Sequence, residues 1–146
     1  MKLRKILEEK GSRVIVIGPQ DTLREALRTL IENKVGSLLV RETPDQHVGI
    51  ITERDIMRAV YNEATLDQTR VEAVMTPTRD IVTGTPDDDI EYAMAEMTEG
   101  RFRHMPVIEN DRLVGIVSIG DMVKAQLEQA RSQVTELRDY VAGVPA

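Results

Sequence analysis

The sequence predicts an α/β (α+β) fold in which one β-α-β-β-α unit occurs twice. The main observation is an internal repeat: Gly-Ile-Ile-Thr-Glu-Arg-Asp at residues 49–55 returns as Gly-Ile-Val-Ser-Ile-Gly-Asp at residues 115–121, 66 positions later. A repeat of this length indicates two copies of one folding unit. The second observation is size: in a chain of 146 residues, each copy alone would be marginally stable. We therefore expect the two copies to share a core.

Apolar spacing predicts the elements of the unit in order. A short apolar run ending in glycine opens each copy, at residues 15–18 and 81–84. A helix follows in the first copy, with Asp21 or Thr22 as its N-cap and Gly36 just past its end. In the second copy the corresponding helix begins near Ile90 and stops at Gly100. Apolar runs separated by short polar turns then predict a hairpin in each copy, at 37–40 with 48–51 and at 105–108 with 114–117, and a second helix follows each hairpin.

The last helix continues well beyond its counterpart in the first copy. Its apolar residues alternate at spacings of four and three, which is typical of a helix-packing seam. We call this set the C-terminal seam: Val123, Leu127, Ala130, Val134, Leu137 and Val141. Two interpretations remain open, a helix that covers its own domain and a helix that contacts another subunit.

Composition excludes several classes of function. The formal charge of −6 argues against a nucleic-acid-binding protein, which needs a basic face. The absence of cysteine excludes a disulfide framework and a thiol nucleophile, and the sequence indicates no metal site. No apolar run is long enough to span a bilayer, and the N-terminus lacks the apolar stretch of a secretory signal. These features predict a soluble cytoplasmic protein that has no membrane association.

The hydroxyl and the carboxylate of the repeated motif, Thr52 with Asp55 and Ser118 with Asp121, fall at strand-to-helix junctions. One interpretation is a capping box, in which the two side chains satisfy free amides at a helix start. The other is a ligand site, because a helix N-terminus attracts phosphate and a carboxylate can accept hydrogen bonds from a ribose diol. Both roles can coexist if they use different lone pairs.

The ordered double set of motifs resembles a tandem pair of CBS domains, named after cystathionine β-synthase, over residues 3 to about 127. The second copy adds Arg-His-Met-Pro-Val at residues 103–107, which is similar to a strand of that family. The resemblance implies a pseudo-two-fold Bateman module that binds adenosine-containing ligands, namely AMP, ADP, ATP, NAD or S-adenosylmethionine, in clefts between the repeats. It also implies a homodimer and no catalytic cofactor. On this basis we assign residues 1–62 to the first repeat, 63–76 to a linker, 77–128 to the second repeat and 129–146 to a C-terminal helical extension.

Residues of the two clefts are carried over from the family by motif. The first cleft would use Ile50, Thr52, Arg54, Asp55, Thr78, Asp80, Ile81, Phe102 and Arg103. The second would use Ile116, Ser118, Asp121, Ser12, Val14, Val35 and Gly36, and His104 would face phosphate in either cleft. Because Gly120 stands where the first copy has Arg54, we expect the Asp55 cleft to be the more cationic and to favour more phosphorylated ligands.

The resemblance predicts an energy- or redox-sensing regulatory module, not an enzyme, that relays ligand occupancy to a partner protein or to the oligomer. Two alternatives are a ligand-free dimerisation module and a nucleotide hydrolase. The hydrolase would need an activated nucleophile or a metal-bound water, and the sequence contains no P-loop and no Gly-x-Ser-x-Gly motif.

Overall fold

The computed structural model describes residues 1–11 and 13–143. The elements follow in the order α1 (Leu3–Lys10), β1 (Val16–Ile17), α2 (Leu23–Asn33), β2 (Ser37–Thr43), β3 (Gln46–Thr52), α3 (Glu53–Tyr61), β4 (Thr76–Pro77), α4 (Ile90–Gly100), β5 (His104–Glu109), β6 (Arg112–Ser118) and α5 (Ile119–Val141). Short 3₁₀ turns at Val71–Ala73 and Thr78–Asp80 flank β4. Across these described residues, no helix combines the length and the hydropathy that crossing a bilayer requires.

The described residues form two compact units, each containing one copy of the repeat. The first, which we call the Asp55 unit, consists of residues 13–83, and the second, the Asp121 unit, consists of residues 1–11 and 84–143. Helix α1 thus packs with the second copy, although the sequence grouped it with the first. The boundaries at residues 62, 76 and 128 remain predictions, whereas the predicted extension of the last helix is present in α5.

The Asp55 unit contains a four-stranded sheet in the order β1-β2-β3-β4. Strand β1 is parallel to β2, and the pairs β2–β3 and β3–β4 are antiparallel. The predicted β-α-β-β-α order is therefore present here. Helices α2 and α3 contribute to a buried cluster on this sheet: Leu23, Ala26, Leu30, Leu38, Val40, Ile51, Ile56 and Val71.

The Asp121 unit has the same hairpin, β5–β6, but its first strand is reduced to a single parallel bridge between Gly84 and Val107. The cause lies in β5. In the Asp55 unit the amide of Leu39 donates to the carbonyl of Ile15 at 2.9 Å. Pro106 takes the place of Leu39 and has no N–H to donate, so the pairing cannot extend.

Each copy is completed by a segment that lies outside its own β-α-β-β-α stretch. In the Asp121 unit, α1 supplies buried Leu3 and Ile6, and the Leu3 amide donates to the carbonyl of Asp88 at 3.0 Å. In the Asp55 unit the linker does the same: the amide of buried Val71 donates to the carbonyl of Asp21 at 2.8 Å.

Each unit accordingly has its own hydrophobic cluster, and the expectation that the two copies also share a core stays a prediction. The cluster of the Asp121 unit consists of Leu3, Ile6, Ile90, Ala93, Met97, Met105, Val107, Val117, Met122 and Ala125.

The predicted stop of α4 at Gly100 is confirmed, but the left-handed C-cap of neither first helix is a glycine. Helix α2 ends at Asn33 with Lys34 as a left-handed C-cap (φ 54°), and α4 ends at Gly100 with Arg101 in the same conformation (φ 57°). The predicted N-cap Thr22 is confirmed for α2.

Candidate functional site

Both repeated motifs form capping boxes at helix N-termini. At α3 the Asp55 amide donates to Thr52 Oγ1 at 3.2 Å, and the Thr52 amide donates to Asp55 Oδ2 at 3.0 Å. At α5 the corresponding distances between Ser118 and Asp121 are 3.1 and 2.9 Å. The capping interpretation of the motif is therefore confirmed.

A third capping box shows that this geometry alone does not indicate a ligand. At the start of α2, the amide of Glu25 donates to Thr22 Oγ1 and the amide of Thr22 donates to Glu25 Oε2, both at 3.2 Å. This helix start lies outside the repeated motif. What separates the two motif sites from it is the surroundings of their carboxylates.

The carboxylate of Asp55 is half-buried and has one engaged oxygen. Oδ2 accepts the Thr52 amide, whereas in the described part of the chain Oδ1 accepts no hydrogen bond. Burial raises the pKa of Asp55 above its ordinary value. This effect exceeds the opposite one, by which hydrogen bonds with Thr52 and the positive charge of Arg58 lower the pKa. The site thus offers an acceptor whose charge is not compensated by a direct ion pair with any described residue.

The carboxylate of Asp121 has a different neighbour. Lys10, the last residue of α1, donates from Nζ to Asp121 Oδ2 at 2.6 Å and to the carbonyl of Ile116 at 2.7 Å. Burial raises the pKa of Asp121, but hydrogen bonds from Lys10 and Ser118, together with the charge of Lys10, outweigh it and lower the pKa below its ordinary value. The two repeated carboxylates are therefore electrostatically unequal.

Lys10 is not among the predicted site residues, although the sequence contains a signal for it. Leu7 in α1 corresponds to Met75 in the linker, and Thr78 follows Met75 by the same three positions that separate Lys10 from Leu7. Thr78 was assigned to a cleft. Extending the internal alignment through the segment that precedes each copy would have given Lys10 the same role.

The backbone places Arg103 beside the second motif. The first amide of α5, at Ile119, donates to the carbonyl of Arg103 at 2.9 Å, just as the first amide of α3, at Glu53, donates to the carbonyl of Gly36 at 3.1 Å. His104 pairs directly with Ser118 across β5 and β6. Within its own unit, Arg103 therefore adds a basic residue near the Ser118 motif, and its role in the Asp55 cleft remains a prediction.

The other residues predicted for the Asp55 cleft are divided between the units. Ile50 is buried in β3, and half-buried Arg54 lies in the first turn of α3. The 3₁₀ turn Thr78–Asp80 follows β4, with the Thr78 hydroxyl donating to the carbonyl of His47 at 3.4 Å, and Ile81 caps its end. The residues of this set that belong to the Asp121 unit are Phe102, Arg103 and His104.

The set predicted for the second cleft is divided in the same way. Ile116 is buried in β6 of the Asp121 unit, which also carries Ser118 and Asp121. The members from the Asp55 unit are half-buried Val14, exposed Val35 and half-buried Gly36. Ser12 lies outside the described residues.

A comparison with known families matches the CBS domain twice, at residues 10–62 and 71–128. These segments cover most of the chain, and each contains one capping-box motif with its hairpin. The chain belongs to the CBS domain family.

Individual relatives support the family. The chain is 36% identical over 126 residues to the mitochondrial CBS domain-containing protein CBSX3 of Arabidopsis thaliana. The aligned region covers 84% of this chain and 61% of that protein. The chain thus spans about three fifths of the plant protein's length.

Solved structures show the same fold. The CBS-domain containing protein from Agrobacterium tumefaciens is 39% identical, with a TM-score of 0.81 over 86% of this chain and 99% of that chain. A CBS domain protein from Pyrobaculum aerophilum, complexed with AMP, is 28% identical, with a TM-score of 0.68 over 83% of this chain and 89% of that chain.

Proposed function

We propose that the chain is a regulatory module that binds an adenosine-containing ligand at the N-termini of α3 and α5 and relays ligand occupancy to a partner protein or to its own oligomer. One observation carries the proposal: in a CBS pair similar to a protein solved with AMP, each motif aspartate keeps Oδ1 free of any described donor while Oδ2 caps its helix.

The two carboxylate oxygens of each motif aspartate thus have different roles, with Oδ2 in the capping box and Oδ1 available to a ligand. The free oxygen can accept a ribose hydroxyl without breaking the capping box. The positive end of the helix dipole favours a nearby phosphate. AMP, ATP, NAD and S-adenosylmethionine all carry a ribose, so the motif selects this class of compound and leaves the choice within it to surrounding charges.

Native mass spectrometry of the freshly purified protein tests whether a nucleotide copurifies and at what stoichiometry. Titration calorimetry with AMP, ATP, NAD and S-adenosylmethionine then compares wild type with Asp55→Asn and Asp121→Asn. We expect each substitution to remove or weaken one binding event by tenfold or more, because a charge-assisted hydrogen bond is lost.

The matched control is Glu25→Gln, which makes the same kind of charge change at the third capping box. It should leave binding unchanged. If none of the four compounds binds, or if Glu25→Gln weakens binding as much as the motif variants do, the proposed function is wrong.

The oligomer is the proposed route of the relay, because the C-terminal seam, which lies on α5, is exposed in the chain. Leu127 is 52% exposed, Val134 50% and Leu137 64%. One flank of the seam carries three basic residues spaced seven apart, Lys124, Arg131 and Arg138. In an antiparallel pair of α5 helices, the basic row of one helix would face the basic row of the other, and the like charges would repel. In a parallel pair, each basic row would instead face Gln126, Gln133 and Tyr140 of the second copy. A parallel homodimer through α5 is therefore the arrangement we favour.

Sedimentation measurements test the α5 pairing. Leu137→Glu should dissociate the dimer by burying a charge in the seam, and Thr135→Glu, on another face of the same helix, should not. The chain has no cysteine, so Val141→Cys introduces a single thiol that forms an intermolecular disulfide only if the two C-terminal ends adjoin. A monomeric wild type would refute the pairing, and a Val141→Cys dimer that does not crosslink under oxidation would refute its parallel direction.

A regulatory role is favoured over catalysis because the motif residues are engaged in capping and form no nucleophile–base pair. Incubation with ATP or NAD and magnesium should give no turnover. The cytoplasmic location stays a prediction, and one relative is mitochondrial by name.

A further inference from the structure

We propose that Lys10 makes the Asp121 site selective for ligands that carry an anionic group next to the ribose. The inference rests on the proposed function, since it concerns the ligand preference of one of its two sites. Its starting point is the pair of hydrogen bonds from Lys10 Nζ to Asp121 Oδ2, at 2.6 Å, and to the carbonyl of Ile116, at 2.7 Å.

The ammonium group of Lys10 competes directly with a neutral ligand. Asp121 Oδ2 already accepts two donors, the amide of Ser118 and Lys10 Nζ. A nucleoside without a phosphate finds Oδ1 free of any described donor, but the ammonium group already compensates the charge of the carboxylate and so weakens Oδ1 as an acceptor, unless the nucleoside displaces the ammonium group. Displacement removes a charge-assisted hydrogen bond, and a neutral ligand brings no anion to replace it, so displacement weakens binding.

A phosphorylated ligand changes this balance. Its phosphate gives Lys10 a second anion, so the ammonium group can bridge the carboxylate and the phosphate or move to the phosphate. The same cation that opposes adenosine therefore assists AMP. Lys10 acts as a point charge on a flexible stem, which suits it to this exchange of partners.

The surroundings of Lys10 leave room for that movement. The ion pair is partly exposed, with 36% of the Lys10 side chain and 26% of the Asp121 side chain accessible. Both residues border a cavity of about 280 Å³ in the Asp121 unit. The charged groups facing this cavity from α1 and α5 are Glu9, Lys124 and Glu128, in addition to the ion pair itself. Lys10 can therefore leave Asp121 without displacing a packed side chain.

The Asp55 site provides the internal contrast. Thr78 occupies the position that corresponds to Lys10, and its hydroxyl donates to the carbonyl of His47. No described cation hydrogen-bonds to Asp55. Adenosine should thus meet no competing ammonium group at Asp55, and the two sites should rank adenosine and AMP differently.

The test measures the dissociation constants of adenosine and AMP by titration calorimetry in the Asp55→Asn background, which leaves Asp121 as the active site. Adding Lys10→Met should strengthen adenosine binding and weaken AMP binding. The dissociation constant of adenosine divided by that of AMP should therefore fall by tenfold or more. Lys10→Arg keeps a cation and should preserve the ratio. If Lys10→Met does not fold, Lys10→Gln provides the same measurement.

Lys2→Met is the matched control, because Lys2 forms a comparable ion pair with Asp89, at 3.0 Å, near the other end of α1. It removes the same charge and should leave the ratio unchanged. If Lys10→Met weakens both ligands equally, Lys10 has only a structural role and the inference is wrong. If neither wild type nor the Asp55→Asn protein binds AMP, the inference is wrong, whereas the proposed function fails only if ATP, NAD and S-adenosylmethionine do not bind either.

Discussion

Substituting alanine for the glycine that opens each motif tests how the two copies are packed. Gly49 and Gly115 occupy the same place in β3 and β6, but they face different neighbours. A Cβ atom at Gly49 would lie 2.5 Å from the carbonyl oxygen of Thr76 and 3.0 Å from Met75 Sδ. A Cβ atom at Gly115 would lie 2.6 Å from Leu7 Cδ2. The first clash is with backbone, whereas the second is with the end of a flexible side chain.

The expected magnitudes differ for this reason. Overpacking by a methyl group costs about 1–3 kcal/mol, depending on whether the neighbour can move. Gly49 pairs with Pro77 in the β3–β4 ladder, so the Thr76 carbonyl cannot retreat without opening that pair. We expect Gly49→Ala to lower the free energy of unfolding by about 3 kcal/mol and Gly115→Ala by about 1 kcal/mol. The corresponding fall in Tm is roughly 2–4 °C per kcal/mol for a chain of this size.

Urea denaturation followed by circular dichroism measures both free energies, and Leu7→Ala supplies a second test. Removing the Leu7 side chain opens the space that the new methyl group needs, so the double variant Leu7→Ala, Gly115→Ala should lose less than the sum of the single losses. A Gly115→Ala protein as destabilised as Gly49→Ala, or strictly additive losses in the double variant, would refute this account of the packing.

Two further predictions concern charge and backbone strain. The lowered pKa of Asp121 means that its contribution to stability is present above the unfolded-state pKa of about 3.9 and is lost as the pH falls through its folded-state pKa. The raised pKa of Asp55 acts in the opposite direction, with stability lost as the pH rises through its folded-state value. Urea unfolding between about pH 3 and pH 7 measures both effects. Relative to wild type, the free energy of unfolding of Asp121→Asn should be lowered most near neutral pH, and that of Asp55→Asn should increase as the pH rises. Variant curves that run parallel to the wild-type curve would contradict both predictions. Lys34→Gly should raise the unfolding free energy by about 1 kcal/mol, because glycine adopts the left-handed conformation of Lys34 (φ 54°) without strain, and a Tm at or below that of wild type would count against this reason.

The sequence predicted the features that depend on local patterns. Helical spacing and the hydroxyl-x-x-acid motif depend on nearby residues, and they correctly indicated α3, α5 and both capping boxes. Gly100 correctly marked the end of α4, but a left-handed C-cap is not restricted to glycine, and Lys34 and Arg101 adopt that conformation after α2 and α4. The first strand of the second copy shortened because Pro106 lacks the amide that its partner needs, an effect visible only when the register is known.

Contacts between segments that are far apart in the sequence could not be predicted from the repeated motif alone. Helix α1 precedes the first copy but contributes to the core of the second, and nothing in its own composition indicates which copy it joins. For the same reason Lys10 reaches Asp121 across 111 positions of sequence. Local spacing identifies the carboxylate, while the fold determines which cation approaches it.

The inequality of the two sites therefore originates in the segments that complete each copy rather than in the repeated motif itself. The motif supplies the same hydroxyl, carboxylate and helix start twice, with capping distances that agree within 0.1 Å between the copies. The completing segments differ: α1 ends in Lys10 with its ammonium group on Asp121, whereas the linker presents the hydroxyl of Thr78. The presence of Gly120 where the first copy has Arg54 predicted the greater positive charge at Asp55. Lys10, and the backbone position of Arg103 at the start of α5, now add basic residues at Asp121 as well. The preference for phosphorylated ligands is thus expected to depend on which cation lies next to the ribose carboxylate, and Lys10→Met measures that dependence directly.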